Sequence, residues 1–238
     1  MKIAIMQPYF FPYLGYFNLM AACDVFISLD NVQYISRGWV NRNRILQSNG
    51  VYTFTVPLTA ASRDLWINQR TIAPEFEEFK HKFIKQLDAG YRKAPFYPNI
   101  LAIIEENLNN TGDNIARLCE STLMAVMNYL GLTKKMYIAS QLMNQEDAWQ
   151  LCGKHKLIKL LQLLHGTHYL NPVGGMSLYQ KDDFSKYGIK LLFVKPLLPS
   201  YRQGSRKKFY NRLSIIDVLM FNSRKEISNL LKQYKLIS

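Results

Sequence analysis

Cysteine is scarce in this chain: Cys23, Cys119 and Cys152 are the three among 238 residues. An odd count, with each residue in an apolar stretch that reads as helical, argues against a disulfide-built fold. It fits reduced core residues of a cytoplasmic protein. Long apolar runs are also missing. None approaches the ~20 residues of a membrane span. Gln7, Pro8 and Pro12 cut the apolar start short, and no small-residue cleavage site follows, so no signal peptide is expected. Acidic residues are few, with 17 Asp+Glu against 30 Lys+Arg and a formal net charge of +13. Such an excess attracts anions, whether phosphates, nucleotides, nucleic acid or an anionic membrane face. The bases are scattered except at Arg37–Arg44 and Arg202–Lys208, and no nucleic-acid motif accompanies them. A solvated basic face is therefore expected over specific nucleic-acid recognition, and peripheral association with an anionic membrane face stays open. Metal and nucleophile chemistry lack their signatures as well. His81, His155, His165 and His168 form no ligand spacing with the cysteines, so no metal is expected. Nucleophile elbow, Walker loop and dinucleotide fingerprint are all absent.

What is present is an ordinary globular composition, 48% hydrophobic and 20% charged, long enough to bury a substantial core. Its organising stretch is Met1 to Phe17, MKIAIMQPYFFPYLGYF. Lys2 to Met6 reads as a buried strand. Pro8 and Pro12 then forbid a continuing central strand and bias Gln7 and Phe11 to extended backbone. Gly15 lets backbone or ligand come close, and Tyr16 to Cys23 is apolar enough for the helix that follows. Strand, stiffened turn and helix are a common opening of an α/β nucleotide-binding domain, with the helix N-terminus facing the carboxyl end of the strand. A strand–turn–helix packed only by its aromatics reads the same way.

Along the chain, Asp24–Tyr34 reads as a second strand, Val51–Leu58 as a strand stopped by Pro57, and Trp66–Ile72 as a short extended piece. Helices are expected from Glu75 to Leu87, Ile100 to Leu108, Gly112–Asp113 to Tyr129, and Gln145 to His165 with Gly166 as its cap. Met136–Ser140, Thr167–Leu170 and Gly188–Pro196 read as strands, and Leu213–Phe221 and Arg224–Tyr234 as closing helices. Strands and helices alternate at both ends around a helical block. This predicts a Rossmann-like layered α/β fold with a mostly parallel sheet, one domain over 1–238, and a candidate helical subdomain at 73–131.

The segment Arg37–Ile45, RGWVNRNRI, is the strongest candidate site. Arg42 and Arg44 offer planar donor forks for phosphate or carboxylate, and Trp39 offers a face on which a ring can stack. Strand alternation would put the two arginines on one side and Trp39, Asn41 and Asn43 on the other. A basic edge strand that resists aggregation is the competing explanation. Gly174 and Gly175, close to Tyr179, could bring backbone N–H groups to an anion or simply turn the chain. Tyr201, Arg202 and Gln203 follow a predicted core strand, where α/β loops carry function. Asp30 ends a strand and could bind a ribose, an amine or magnesium, or serve the turn. Ser214 with Asp217 three residues on reads as a capping box.

These residues resemble a known family. Gln7-Pro8 with Pro12, Gly15, Tyr16 and Phe17; Asp24 and Asp30; Trp39, Asn41 and Arg42; Tyr91-Arg92-Lys93-Ala94-Pro95; Tyr169 with Gly174-Gly175 and Tyr179; Tyr201 and Gln203; and Leu213 to Asp217 run in order as they do in the WbqC-like protein family of bacteria. Asn222-Ser223, where relatives favour glycine, and a less acidic segment at Gly153 depart from the pattern. The resemblance implies a role around surface-polysaccharide synthesis, O-antigen or capsule, without fixing a reaction. A more distant likeness is to His-x-Gly-His nucleotidyltransferases such as pantothenate synthetase. Here Tyr13-Leu14-Gly15-Tyr16 holds the motif's place with tyrosine for both histidines, and tyrosine supplies no imidazolium charge.

The enzyme expected on these grounds is a transferase or ligase that decorates an amino sugar on a nucleotide- or lipid-linked precursor, with ATP a candidate activator. Gln7, Pro8, Gly15 and Tyr16 would line a nucleotide pocket. Arg42, Arg44 and Trp39 would hold phosphate and ring, with Asn41 beside them. Asp30 would orient or deprotonate the amine, and Gly174, Gly175, Tyr179, Tyr201 and Gln203 would complete the walls. A non-catalytic binding or scaffold protein of the same pathway is the alternative.

Overall fold

The computed structural model describes residues 1–110, 112–204 and 208–238. The middle of the basic run Arg202–Lys208 lies outside the described residues. In chain order the strands and helices are β1 (Lys2–Met6), α1 (Leu14–Ala22), β2 (Val25–Ser28), β3 (Arg42–Gln47), β4 (Gly50–Thr55), α2 (Phe76–Tyr91), α3 (Tyr97–Asn109) and α4 (Ile115–Leu130). There follow β5 (Lys135–Ile138), α5 (Ala139–Leu142), α6 (Gln145–Gln150), α7 (Gly153–Leu163), β6 (His168–Pro172), α8 (Lys181–Ser185), β7 (Lys190–Pro196), α9 (Ile215–Phe221), α10 (Arg224–Leu231) and β8 (Tyr234–Ile237).

Six strands form one sheet in the order β5-β2-β1-β6-β7-β8, parallel except for the β7–β8 pair. Counted within this sheet the order is third, second, first, fourth, fifth, sixth, which is the doubly wound Rossmann order. Its strands are apolar on both faces because both faces are covered. Ala4, Phe26, Leu170, Leu192 and Val194 point into a core shared with α1, α2, α3, α4, α9 and α10. Their strand neighbours Ile3, Ile5, Val25, Ile27, Tyr169, Leu191 and Phe193 point into a second core under α7 and α8. The expected helical block is therefore packed into the same core as β1 and α1, with Phe83, Ile104 and Leu118 beside Phe17. No helix among the described residues is long and apolar enough to cross a membrane.

Several expected boundaries move. The second strand stops at Ser28: Leu29 N–H still donates to Met6 of β1, but the Asp30 and Asn31 carbonyls turn away to accept from Asn68 N–H and Lys156. Gln145–His165 is two helices, broken at Leu151–Cys152 where Gly153 takes φ 50°. Cys152 is exposed at that break, unlike buried Cys23 and Cys119. Arg224–Tyr234 ends at Leu231 and hands over to the antiparallel edge strand β8. Ser214 caps α9, but Asp217 does not complete a capping box. Its carboxylate accepts instead from Tyr91, Tyr201 and Gln203.

Between β2 and α2 the chain inserts the antiparallel hairpin β3–β4. It is fastened to the bend that follows β1. Phe10 N–H donates to the Val40 carbonyl at 2.9 Å, and Asn43 Nδ2 donates to the Phe11 carbonyl at 2.6 Å. Ser214 at the start of α9 closes the joint, its N–H on the Arg44 carbonyl and its Oγ on the Phe11 carbonyl.

Candidate functional site

In an open doubly wound sheet, ligands bind outside the carboxyl ends of the strands where the order reverses. Here that is the gap between β1 and β6. A cavity of ≈ 430 Å3 lies there, walled by Met6 at the end of β1 and Tyr9, Pro12 and Tyr13 after it, by Pro172 at the end of β6 and Val173 and Gly174 after it, and by Pro196 at the end of β7. Trp39, Asn43 and Arg44 of the hairpin region and Arg212 before α9 complete it. Pro172 and Pro196 are the last paired residues of their strands and Pro12 stands in the bend after β1, so prolines, with no N–H to give a ladder, mark where the strands end and the chain turns.

The cleft's charge has one sign. Arg44 and Arg212 carry it, and no carboxylate lines the cavity among the described residues. Trp39 is 42% exposed and carries two guanidinium groups, with Arg42 5.0 Å and Arg44 5.5 Å from its ring. Arg44 Nη2 donates to the Arg212 carbonyl, while its Nε meets no partner among the described residues. Burial raises the phenols of Tyr9 and Tyr13 above their ordinary range, offset in part at Tyr13 by Arg212. Both are protonated donors at neutral pH. Tyr13 is also the N-cap residue of α1 and makes no side-chain cap. Arginine forks, phenol donors and an apolar indole plate suit an anionic group attached to a ring.

Of the residues singled out in the sequence, this cleft gathers Pro12, Tyr13, Trp39, Asn43, Arg44 and Gly174. Trp39 lies against the two arginines and shares the cleft with Asn43 but not Asn41, because residues 36–41 are irregular and strand alternation begins only at Arg42. Arg42 stacks on Trp39 without lining the cavity. Asn41 is buried and structural, accepting from the Tyr34 hydroxyl and donating to the Val56 carbonyl. Tyr16 is 2% exposed in the core, its hydroxyl donating to the Gln7 carbonyl, with Pro8 buried in the same bend. The close approach allowed by Gly15 is that of the Tyr13 ring. Gly175 packs on Asn171, and Tyr179 on Tyr169 and Phe184 in the second core. Tyr201 and Gln203 hold the buried Asp217.

Asp30 lies over the other half of the sheet. Its carboxylate is 3% exposed and accepts from Ser140 N–H at 2.9 Å, Ser140 Oγ at 2.5 Å and Asn68 Nδ2 at 3.1 Å. Nearby Glu120 accepts from Ser28 at 2.6 Å, and burial, with a contribution from Asp30, pushes its carboxyl up to about 7. Lys156 donates to the Asn31 carbonyl at 2.7 Å and sits 4.7 Å from the Trp66 ring, its pKa lowered by burial. The described residues hold no cluster of three or more metal-ligating His, Cys, Asp or Glu side chains. Sequence reasoning missed Tyr9 and Arg212 as cleft residues and named Tyr13 only as a stand-in for a motif histidine. Tyr9 stands in the recognised opening stretch, but Arg212 carries no local signal.

The WbqC-like protein family matches residues 7–229. The chain belongs to that family. A relative is the "Uncharacterized protein Rv1507c" of Mycobacterium tuberculosis (strain ATCC 25618 / H37Rv), 30% identical over 237 residues that cover 97% of this chain and 97% of that protein. No solved structure matches, and the likeness to pantothenate synthetase gains no support. For this WbqC-like chain the matched span holds the bend after β1, Trp39, Asn43, Arg44, Gly174 and Arg212, which line the cleft.

Proposed function

We propose that this WbqC-like protein binds a phosphorylated amino-sugar precursor in the cleft between β1 and β6 and transfers an acyl or aminoacyl group to its amine, in bacterial surface-polysaccharide synthesis. One observation carries the reading. Trp39, flanked by Arg42 and Arg44, faces with Arg212 a cleft of one charge sign at the reversal point of a doubly wound sheet. Arg44 and Arg212 hold the phosphate or diphosphate, and Trp39 carries the ring attached to it. In the transfer, the sugar nitrogen attacks the acyl carbonyl carbon. A C–N bond forms, the bond from that carbon to the donor's leaving group breaks, and the amine proton leaves with that group. ATP is the candidate activator of a free carboxylate, and the same arginines suit its phosphates. Asp30, with its oxygens engaged elsewhere, takes no part in this version.

Calorimetry with ATP, UDP-sugars and dTDP-sugars tests the reading. At least one is expected to bind, with affinity that falls as salt rises and is lost in Arg44→Ala. Binding of none of them refutes it. Mass spectrometry of the surface glycan from cells with and without the gene then names the group transferred. A second reading, a non-catalytic binding or scaffold protein, is favoured by one feature: the titratable side chains of the cleft are arginines and protonated phenols. It predicts binding without any change in glycan composition.

A further inference from the structure

A second cavity, ≈ 260 Å3, opens over the other half of the sheet, beyond the carboxyl ends of β2 and β5. Asn31, Trp66, Asn68, Gln69, Ser140 and Gln145 line it, and every residue of its wall is uncharged. Asn31 is 0% exposed, and both ends of its side-chain amide, Nδ2 and Oδ1, meet no hydrogen-bonding partner among the described residues. Asn68 adds a free acceptor. Its Nδ2 is held by Asp30, which fixes the amide's orientation and leaves Oδ1 unpartnered. A buried amide with neither end paired is uncommon in folded proteins, and here Asn31 is one, beside a half-buried Asn68 whose Oδ1 is also unpartnered.

The nearby charges are already engaged. Asp30 accepts from Ser140 and Asn68, and Lys156 donates to the Asn31 carbonyl while lying over Trp66. An ion is therefore not what the wall asks for. It offers one free donor and two free acceptors on planar amides, beside an indole. Trp149, 58% exposed, lies against that indole with ring centroids 4.4 Å apart and planes tilted by 34°, and holds it from outside the cavity's own lining. Vicinal hydroxyl groups, each both donor and acceptor on an otherwise apolar ring, match this set. The volume is small for a ligand site, enough for one ring but not for a nucleotide.

We propose that the cavity between the β2 and β5 loops is a neutral-sugar subsite, in which Asn31 and Asn68 read the hydroxyls of a single pyranose beside Trp66. The choice of a sugar over other neutral polar molecules rests on the reading of the previous section, but the site is distinct from the anion cleft and needs no phosphate.

Saturation-transfer NMR with phosphate-free methyl glycosides tests the site: a hexoside, a 2-acetamido hexoside and an amino hexoside. At least one is expected to receive saturation, most strongly at its ring protons. Its affinity should fall about tenfold or more in Asn31→Ala, the loss expected when paired buried polar groups lose their partner. Asn31→Ala removes no hydrogen bond that its side chain makes within the described residues. Should it nonetheless fail to fold, Gln145→Trp, an exposed substitution at the cavity wall, blocks the site and should abolish the signal. Arg44→Ala should leave glycoside binding unchanged. No saturation of any glycoside overturns the proposal, as does binding that survives both Asn31→Ala and Gln145→Trp or is lost in Arg44→Ala. Failure of nucleotide-sugar binding in the cleft, with glycoside binding intact, would refute the earlier reading alone.

Discussion

The side-chain amide of Asn43 lies 2.6 Å from the carbonyl oxygen of Phe11, a residue held at φ 43°. That bond joins the hairpin to the bend after β1 at the one point where the bend takes a conformation that a bulky side chain rarely adopts. The same Nδ2 reaches the Phe10 carbonyl at 3.3 Å, and Asn43 Oδ1 accepts from Arg44 N–H at 2.8 Å. Asn43 is thus both a wall of the cleft and its fastening. Asn43→Ala leaves buried carbonyls short of a donor and should destabilise the fold by about 1–3 kcal/mol. It should also weaken anion binding, because Pro12 and Tyr13 lose their anchor. Asn43→Asp should be worse on both counts, since a carboxylate would face two carbonyls and oppose Arg44. Urea midpoints, with binding measured on the folded fraction, check both. Equal stability for all three proteins would show that Ser214 alone holds the bend.

Gly15 makes a different kind of prediction. A Cβ built there would stand 2.3 Å from Cε2 of Tyr13, so the ring must move. Tyr13 lines the cleft, and Gly15 lies in the first turn of α1. Alanine recovers up to about 1 kcal/mol of helix propensity, which offsets much of the strain. Gly15→Ala should therefore change stability by less than about 1 kcal/mol while cutting cleft affinity severalfold. A stability loss with unchanged affinity would show that the ring cannot swing and that the helix shifts instead.

The layered fold was legible because its central strands are unbroken apolar runs. KIAIM and GIKLLFVKP read as buried strands without knowledge of their partners. YKLI at the C-terminal edge did not, since it is four residues long, half-exposed, and follows a helical stripe with no glycine or proline between. The site was half legible. Trp39 and Arg44 announced themselves by composition, but Asn41 differs from Asn43 only in where its amide points, which no local pattern encodes. Arg212 enters the cleft because α9 docks on Phe11 and Arg44, contacts spanning about 170 or more residues of chain. Asp30 looked like a free strand-end carboxylate until β5 brought Ser140 to it.

Trp39 should act on binding and hardly on folding. With 42% of its surface exposed, its two cation–π contacts with Arg42 and Arg44 are each worth about 0.5–1 kcal/mol. Trp39→Ala should lower stability by no more than about 1–2 kcal/mol, while affinity for a phosphorylated ring falls about tenfold. Trp39→Phe should recover part of that loss. Competition binding with inorganic phosphate separates the roles of the plate and the forks. Trp39→Ala should leave phosphate affinity within about twofold, whereas Arg44→Ala should abolish it.

Glu120 gives the protein a stability that depends on pH in a direction unusual for a carboxylate. It is 5% exposed, and burial pushes it from an ordinary 4.5 up to about 7; Asp30 adds to the shift, while Ser28 and Arg117 oppose it. The folded chain therefore holds a proton between those values that the unfolded chain has released. Its contribution is complete below about pH 4.5 and is lost as pH rises through about 7. The shift corresponds to a loss on the order of 3 kcal/mol. Glu120→Gln keeps an acceptor for Ser28 and has nothing to ionise, so its stability should lack this component. Urea midpoints at pH 5 and pH 8 decide the matter. The variant should gain on the wild type at pH 8 relative to pH 5, because the wild type alone must bury a charge there. A constant difference across the two pH values would mean that Glu120 ionises in the folded protein as readily as in the unfolded one.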